Sequence, residues 1–196
     1  SGVDALITDA VTITEGKAYQ IKGMQYDIGE LFGEYHEEAV VKVEGGEFVN
    51  FYLSPKDYHR YHMPMRLKVN SLTHIPGKHY PVNFPLLRNM NDLFIENERV
   101  VLMCENTSGK RFYMVLVGAL NVGVMQVAFE PNIKTNADAQ KPTVYDYKDL
   151  YLNKGDDFGC FEMGSTIVIL AQTGMLELED LVGKDVKYGE TITKNV

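Results

Sequence analysis

The strongest constraint on the fold is a series of short, strand-like stretches separated by turn-forming residues along most of the 196-residue chain. Val, Ile, Thr, Tyr and Phe favour strands, whereas Gly, Asn and Pro interrupt them. The strand-like stretches are VDALITD, AVTITEG, FVNFYLSP, MRLKVNSLTHIPG, RVVLMCEN, RFYMVLVGAL and VGVMQVAFE. Two further stretches, YDIGELFGE and MLELEDLVG, have the apolar spacing of short helices that are closed by glycine. We therefore predict one mostly β domain over residues 1–196, of barrel-sandwich or β-sandwich type, with a few short helices.

Two segments between these stretches predict connections. EPNIKTNADAQKPTVYDYKD has the composition of one long polar loop. LNKGDDFG and VKYGETI share a pattern of an apolar residue, Lys, turn formers and a Gly–acid pair, which recurs at hairpins of barrel-sandwich folds. They predict two tight turns that bring the ends of the domain together.

Composition excludes several classes of function. The formal net charge is −8 and no block of Lys and Arg occurs, which argues against a nucleic-acid partner and against a polybasic membrane anchor. Cys104 and Cys160 form no disulfide framework and no metal-binding spacing. The longest apolar runs, MVLVGAL and TIVILA, are much shorter than the roughly 18 residues of a membrane-spanning helix.

The densest chemical segment is LSPKDYHRYHMP, which places His59 and His62 three residues apart beside Tyr58. A metal site is one interpretation, but no third ligand follows nearby, and we predict no metal. A histidine that only hydrogen-bonds beneath a loop is the second interpretation. The third is acid–base chemistry, for which the near-neutral pKa of histidine is suited.

The stretch CFEMGSTIVIL begins a β-branched run with Gly164, Ser165 and Thr166, which weaken a strand. Either these residues form a bulge or turn, or the Gly164–Ser165 bond is one on which the protein acts. Ser165 is then a candidate nucleophile and His62 its base. Asp4, which lies between apolar residues, is a candidate to orient that base, because a buried aspartate needs a partner.

Six ordered segments together resemble the phosphatidylserine decarboxylases over nearly the whole chain. They are SGVDALI, YLSPKDYHRYHMP, HYPVNFP, FIENERVVL, VLVGALNVG and KGDDFGCFEMGSTIVIL. The combination of YHRxH with a downstream KGxxxGxFxxGST is the most specific part. Gly2, Ala5 and Met163 depart from the usual family residues, and these changes are small.

The resemblance implies a self-cleaving enzyme with a covalent pyruvoyl cofactor. Ser165 would attack the carbonyl carbon of Gly164, leaving a long (β) chain 1–164 and a short (α) chain 165–196 that begins with a pyruvoyl group. His62 and Asp4 match the family's triad histidine and aspartate, and His59 matches the histidine of the decarboxylation step. A Schiff base with the substrate amine would then accept the electrons released with CO₂. Tyr58 is a second candidate proton donor, and Thr166 would begin the strand that supports the cofactor.

The implied substrate is phosphatidylserine, which is converted to phosphatidylethanolamine. The resemblance further implies a homodimer and a location at the cytoplasmic face of a bacterial cell membrane. Family members carry an N-terminal membrane-associating region that this chain does not show, so we expect this chain itself to be soluble. The alternatives are a pyruvoyl decarboxylase for another serine-headgroup lipid and a non-catalytic barrel-sandwich carrier or interaction domain. A carrier needs a modifiable lysine at a hairpin tip, and Lys154 and Lys187 lack the usual context.

Other polar residues are predicted to be structural. We expect His36, His74 and His79 to lie at the surface or in loops. Asn97, Glu98 and Arg99 match a family motif, in which Arg99 is predicted to pair with a carboxylate at the start of a strand.

Overall fold

The computed structural model describes residues 1–19, 25–33, 37–82, 90, 92–120, 124–136, 141–178 and 180–193. The strands in these ranges are β1 Ala5–Thr14, β2 Lys17–Tyr19, β3 Gln25–Asp27, β4 Glu47–Leu53, β5 Arg60–His62, β6 Leu67–Ile75, β7 Arg99–Glu105, β8 Arg111–Val117, β9 Met125–Val127, β10 Thr143–Leu152, β11 Asp157–Phe161, β12 Ser165–Ala171 and β13 Asp185–Val186. The helices are α1 Ile28–Phe32, α2 Glu37–Val43 and α3 Leu93–Glu96. None of these helices is long and apolar enough to cross a membrane.

The strands form one large and one small antiparallel sheet. The large sheet has the order β10-β6-β7-β8-β12-β4-β1-β2-β3, with β13 added beside β1. The small sheet has the order β5-β11-β9. The predicted mostly β fold with a few short helices is therefore confirmed, and the large sheet is open rather than closed into a barrel.

Two hydrophobic cores cover the two faces of the large sheet. Strand β12 is buried along its whole length, and its side chains alternate between the cores. Ile167 and Ile169 belong to the first core, and Val168 and Leu170 to the second. The first core also holds the aromatic residues of the small sheet, and the second holds the apolar residues of the helices. The result is a layered arrangement of small sheet, large sheet and helices, with β12 at its centre.

Two local predictions need correction. Residues 175–183 form no helix in their described part, and Leu178 instead makes an isolated bridge to Thr193. The predicted polar loop 130–149 contains the first part of β10, a ten-residue strand at the edge of the large sheet. Its side chains are largely exposed because only β6 pairs with it, and polar residues suit such an edge.

Candidate active site

The segment with the two histidines follows β4 and continues into β5. Here it lies beside the chain that leads to Gly164, because the backbone N–H of Phe161 donates to the carbonyl of His59 at 3.0 Å. Strand β12 then begins at Ser165, which pairs with Leu53 at the end of β4. The fold thus brings together two segments that are about a hundred residues apart in sequence.

Three four-residue turns surround these histidines, at residues 54–57, 153–156 and 187–190. In each turn the last residue donates its N–H to the carbonyl of the first, over 2.9 to 3.1 Å. In each turn the carboxylate of the last residue also accepts the N–H of the first, over 2.7 to 2.9 Å. Gly155 and Gly189 hold the third position of two turns with φ of 86° and 83°, which favours glycine. The repeated pattern of LNKGDDFG and VKYGETI thus corresponds to two turns of one design. We call the three turns, with Tyr58, His59 and His62, the turn cluster.

His62 is held in one tautomer by its neighbours. Its Nδ1 lies 3.0 Å from the carbonyl oxygen of Gly155, and its Nε2 lies 2.9 Å from the hydroxyl oxygen of Tyr58. Because a carbonyl oxygen only accepts, Nδ1 carries the proton and the Nε2 lone pair accepts from Tyr58. Burial of its hydroxyl and the nearby Asp157 carboxylate raise the pKa of Tyr58, which keeps it a donor. The arrangement presents His62 as a base at Nε2.

Asp4 is close to this histidine in the fold but bonds to the turn at 187–190. Its Oδ1 accepts the backbone N–H of Tyr188 at 2.8 Å, and its Oδ2 accepts from the ammonium of Lys187 at 3.0 Å. Partial burial opposes ionisation, but these two donors outweigh it and hold the pKa of Asp4 below its usual range. The expected hydrogen bond between Asp4 and His62 is not among the bonds of either described side chain.

His59 lies directly at the Gly164–Ser165 bond. Its Nε2 accepts the N–H of Gly164 at 3.2 Å and also lies 3.2 Å from the carbonyl of Pro55. One nitrogen cannot accept from the first and donate to the second at once, so the tautomer of His59 selects between them. In either tautomer the buried Nδ1 has no partner among the described residues.

Gly164 and Ser165 are tightly enclosed. A Cβ on Gly164 would lie 2.8 Å from the carbonyl oxygen of Leu53, so only glycine fits without movement. The side chain of Ser165 is buried and its hydroxyl donates to the carbonyl of Val117. Thr166 is also buried, and its hydroxyl has no partner among the described residues. A serine in this position is shielded from bulk water, and it follows directly after Gly164, whose N–H contacts the His59 imidazole.

A second polar group lies beyond Val117, and we call it the buried cluster: Asn97, Glu98, Arg99, His74 and His79. Glu98 accepts from His74 at 2.7 Å, from His79 at 2.8 Å and from the N–H of Asn136 at 2.8 Å. Burial opposes ionisation of Glu98, but these donors hold its pKa below the usual range. The prediction of a surface or loop position is wrong for His74, which is buried on β6. His79 is half-buried, and His36 lies outside the described residues.

Contrary to the prediction, Arg99 forms no ion pair with a carboxylate within the part of the chain that the structure describes. Its guanidinium donates to the backbone carbonyls of Glu30, Leu31, Ile95 and Asn97. These carbonyls belong to the ends of short helices, which leave carbonyl groups unsatisfied. Burial lowers the pKa of Arg99 to about 10, which remains high enough for a cation at neutral pH. Arg99 therefore ties the helical layer to the start of β7.

Sequence reasoning missed several groups around the histidines. The ring of Tyr188 lies 4.1 Å from the ring of His62, between centroids, and the Gly155 carbonyl orients the imidazole. The paired KGD and KYGE patterns were the available signal, but a pattern of turns does not reveal which side chain the turns face. Across the described residues, no group of three His, Cys, Asp or Glu side chains is arranged to hold a metal ion.

An apolar cavity of about 410 Å³ adjoins the turn cluster. Lys154, Gly155 and Tyr188 form part of its wall. The apolar lining comes mainly from the sheet and the C-terminal segment: Val49, Phe51, Phe112, Ile169, Leu176, Leu178 and Ile192. A cavity of this size and lining can hold the apolar part of a small amphipathic molecule.

Comparisons with known proteins agree with this site. The sequence profile of a family described as phosphatidylserine decarboxylase matches residues 1–194. A phosphatidylserine decarboxylase proenzyme of Helicobacter pylori is 46% identical over 190 residues, which cover 96% of this chain and 69% of the relative. Proteins of the same name from Campylobacter jejuni and Anaeromyxobacter are 43% and 35% identical, covering 89% and 98% of this chain and 65% and 68% of the relatives. The chain therefore belongs to the phosphatidylserine decarboxylase family of lyases, whose members are made as proenzymes.

Proposed function

We propose that the chain cleaves itself between Gly164 and Ser165, converts Ser165 into a pyruvoyl group and decarboxylates phosphatidylserine to phosphatidylethanolamine. The observation that carries the proposal is the hydrogen bond from the N–H of Gly164 to His59 Nε2 at 3.2 Å. It places the YHRxH segment against the one Gly-Ser-Thr step that begins the central strand. Family membership supports both the reaction class and the processing.

The proposed cleavage needs the Ser165 hydroxyl, the carbonyl carbon of Gly164 and His62 as the base. The Ser165 hydroxyl leaves the Val117 carbonyl and gives its proton to Nε2 of His62, which must first release its hydrogen bond from Tyr58. Oγ of Ser165 then bonds to the Gly164 carbonyl carbon. The C–N bond to Ser165 then breaks, and the proton passes to the freed amine. His62, neutral again after giving its proton to the amine, accepts the Ser165 Cα proton. The Cβ–Oγ bond then breaks and its electrons leave with Gly164 as a carboxylate. Water hydrolyses the remaining enamine, as its imine, to a pyruvoyl group and ammonia. General-base help of this kind contributes about 10²–10⁴ in rate.

The surroundings of residue 165 fit a pyruvoyl group. The buried Nδ1 of His59 and hydroxyl of Thr166 have no partner among the described residues, so two polar groups near residue 165 are free to bind carbonyl oxygen or substrate. Residue 165 is enclosed at the start of a strand buried on both faces, which restricts the access of water. When formed, the group supplies a conjugated carbonyl that accepts the electrons released on decarboxylation.

His59 is proposed as the residue that protonates the substrate carbon after CO₂ leaves. Its imidazole lies at the Gly164 side of the cleavage site, and histidine holds and releases a proton near neutral pH. Tyr58 is the second candidate, but its hydroxyl is bonded to His62 Nε2. We therefore assign the proton to His59 and assign Tyr58 to the support of His62.

A lipid substrate is consistent with the apolar surfaces around the site. Met163, beside the cleavage site, and Leu120, three residues beyond Val117, are exposed by 46% and 55%. Exposed apolar side chains beside a reactive centre favour contact with a lipid surface. We propose the membrane surface as the place of action; the homodimer and the cytoplasmic face remain predictions from the resemblance. The carrier alternative loses support, because Lys187 is ion-paired with Asp4.

The test is self-cleavage of the purified chain, followed by denaturing electrophoresis and intact mass. Wild type is expected to split at 164/165 into two chains, with a blocked N-terminus on the short one, and to release CO₂ from phosphatidylserine in detergent micelles. Ser165→Ala is expected to remain one chain of 22.2 kDa without activity. Ser108→Ala, which removes an exposed serine in the turn after β7, is the matched control and is expected to behave as wild type. Cleavage in Ser165→Ala, or an uncleaved wild type, would contradict the proposal.

A further inference from the structure

The turn at 187–190 links the proposed triad aspartate to the proposed triad histidine. We infer that Asp4 acts on His62 through this turn, with Tyr188 as the positioning residue, rather than by a direct hydrogen bond to the imidazole. The inference rests on the proposed self-cleavage, because it concerns how the base of that reaction is held.

Both carboxylate oxygens of Asp4 are occupied by neighbouring residues of this turn. Oδ1 accepts the N–H of Tyr188 at 2.8 Å, and Oδ2 accepts from Lys187 Nζ at 3.0 Å. The turn is fixed further by the N–H of Gly189, which donates to the carbonyl of Ser1 at 3.0 Å. The stretch before β1 thus anchors the turn through Ser1 and through both carboxylate oxygens of Asp4.

Tyr188 contacts both the imidazole and the group that orients it. Its ring lies 4.1 Å from the ring of His62 at an interplanar angle of 32°, so it covers one face of the imidazole. Its hydroxyl donates at 3.4 Å to the Gly155 carbonyl, which also accepts the Nδ1 proton of His62. Movement of Tyr188 therefore affects the position of the base and the acceptor that selects its tautomer.

A direct bond from Asp4 would compete with an interaction that already exists. The Nδ1–H of His62 is directed at Gly155, and Nε2 accepts from Tyr58, so both ring nitrogens are occupied. The two arrangements predict different behaviour of Asp4→Asn. A directly bonded aspartate cannot be replaced by asparagine, because the amide disturbs the tautomer. An aspartate that anchors a turn can be replaced in part, because the asparagine oxygen still accepts the N–H of Tyr188.

Cleavage at 164/165 gives this connection a further consequence. Asp4 and His62 belong to the long chain, whereas Lys187 and Tyr188 belong to the short chain. The short chain would therefore carry residue 165 and also the positioning residue for the histidine on the other chain.

The first experiment measures self-cleavage rates of the full chain. Tyr188→Ala and Asp4→Ala are each expected to slow cleavage roughly 10- to 100-fold, as expected for a misplaced catalytic group. The double variant is expected to be no slower than the slower single variant, because both changes break one connection. Asp4→Asn is expected to cleave at least about tenfold faster than Asp4→Ala, and Tyr188→Phe to recover most of the loss. Tyr151→Ala removes an exposed tyrosine of β10 and is expected to match wild type.

The second experiment reads the position of the base without cleavage. ¹⁵N NMR of the Ser165→Ala chain at about pH 9, well above the ordinary histidine range, reports the tautomer of His62. In the Ser165→Ala chain, His62 is expected to have only the Nδ1–H tautomer. Addition of Asp4→Asn is expected to keep this tautomer, whereas addition of Tyr188→Ala is expected to give a mixture of the Nδ1–H and Nε2–H tautomers. The inference is overturned if Tyr188→Ala keeps one tautomer, or if Asp4→Asn cleaves as slowly as Asp4→Ala while Tyr188→Ala cleaves normally. If wild type does not cleave, the proposed function fails and the tautomers alone decide the inference.

Discussion

The turn cluster and the buried cluster approach the Gly164–Ser165 bond from different directions, and they differ in exposure and in hydrogen bonding. In the buried cluster Asn97, Glu98 and Arg99 are 0%, 2% and 4% exposed, and each makes several hydrogen bonds. In the turn cluster Tyr58 is 40% exposed, and the buried Nδ1 of His59 has no partner among the described residues.

This difference indicates that the buried cluster stabilises the fold and that the turn cluster takes part in the proposed reaction. A buried polar network in which every group is satisfied stabilises one arrangement, and it leaves no atom free for a ligand. The turn cluster has spare hydrogen-bonding capacity at the bond that is proposed to break, which is where a reaction needs it. Mutations in the turn cluster should therefore change mainly the activity. Mutations in the buried cluster should change mainly the free energy of unfolding.

The largest expected effect is that of His59→Ala on decarboxylation. Loss of the proposed proton donor is expected to lower the rate per cleaved molecule by about 10²–10⁴. The midpoint of urea unfolding is expected to change little, because His59 contributes few satisfied contacts. The measurement is CO₂ release from phosphatidylserine in micelles, normalised to the cleaved fraction.

The matched variant in the other region is His79→Ala, which removes a hydrogen bond to buried Glu98. It is expected to lower the free energy of unfolding by about 1–2 kcal/mol and to keep the decarboxylation rate per cleaved molecule. If the His79 variant lowered the decarboxylation rate and His59→Ala lowered the free energy of unfolding, the proposed roles of the two clusters would be wrong.

The next effect is on stability and concerns Arg99→Met. This change leaves buried carbonyls at the ends of α1 and α3 without their donor, and the expected loss is about 3 kcal/mol of unfolding free energy. Urea unfolding of the Ser165→Ala chain gives the value without interference from cleavage. Arg66→Met, at an exposed position, is the control and is expected to change stability little. A loss below about 1 kcal/mol for Arg99→Met would show that water replaces its bonds.

The sequence predicted the elements whose side-chain pattern matches their burial. The segment TIVILA forms most of β12, as predicted, because a run of apolar, β-branched residues suits a strand buried on both faces. The helix predicted at 175–183 failed because apolar spacing alone does not fix a conformation. Met175 and Leu181 bury their side chains in the first core without helical turns. The edge strand β10 was missed because a polar strand with one partner has the composition of a loop.

The candidate site was predictable only where its residues form a local pattern. Gly164 and Ser165 were visible as a step that weakens a strand, and His59 and His62 as a dense pair. Tyr188 and Lys187 were not, because their contacts with Asp4 join positions more than 180 residues apart in the chain. Such contacts depend on the packing of the two chain ends and leave no local signal in composition or spacing.

The smallest expected effect is the pH dependence contributed by Glu98. Burial opposes its ionisation, but His74, the N–H of Asn136 and His79 together hold its pKa below the ordinary 4.5. The folded chain therefore binds this proton less readily than the unfolded chain. The contribution of Glu98 to stability is full above about pH 4.5 and is lost as the pH falls through the lower pKa of the folded state.

The contribution of Glu98 is measured by comparing the unfolding free energy of the Ser165→Ala chain with that of the same chain carrying Glu98→Gln. The difference in unfolding free energy between the two proteins is expected to be constant from pH 7 to about pH 5 and to shrink toward pH 3. The pKa of Asp4 is also lowered, but its partner Lys187 is 65% exposed and water screens their attraction. We therefore expect the difference in unfolding free energy between Asp4→Asn and its parent to depend less on pH. If the difference in unfolding free energy changed equally with pH for Glu98→Gln and Asp4→Asn, the deeper burial of Glu98 would have no electrostatic consequence. A steeper slope for Glu98 would show that the buried cluster stabilises the fold through a charge whose donors are all supplied by the protein.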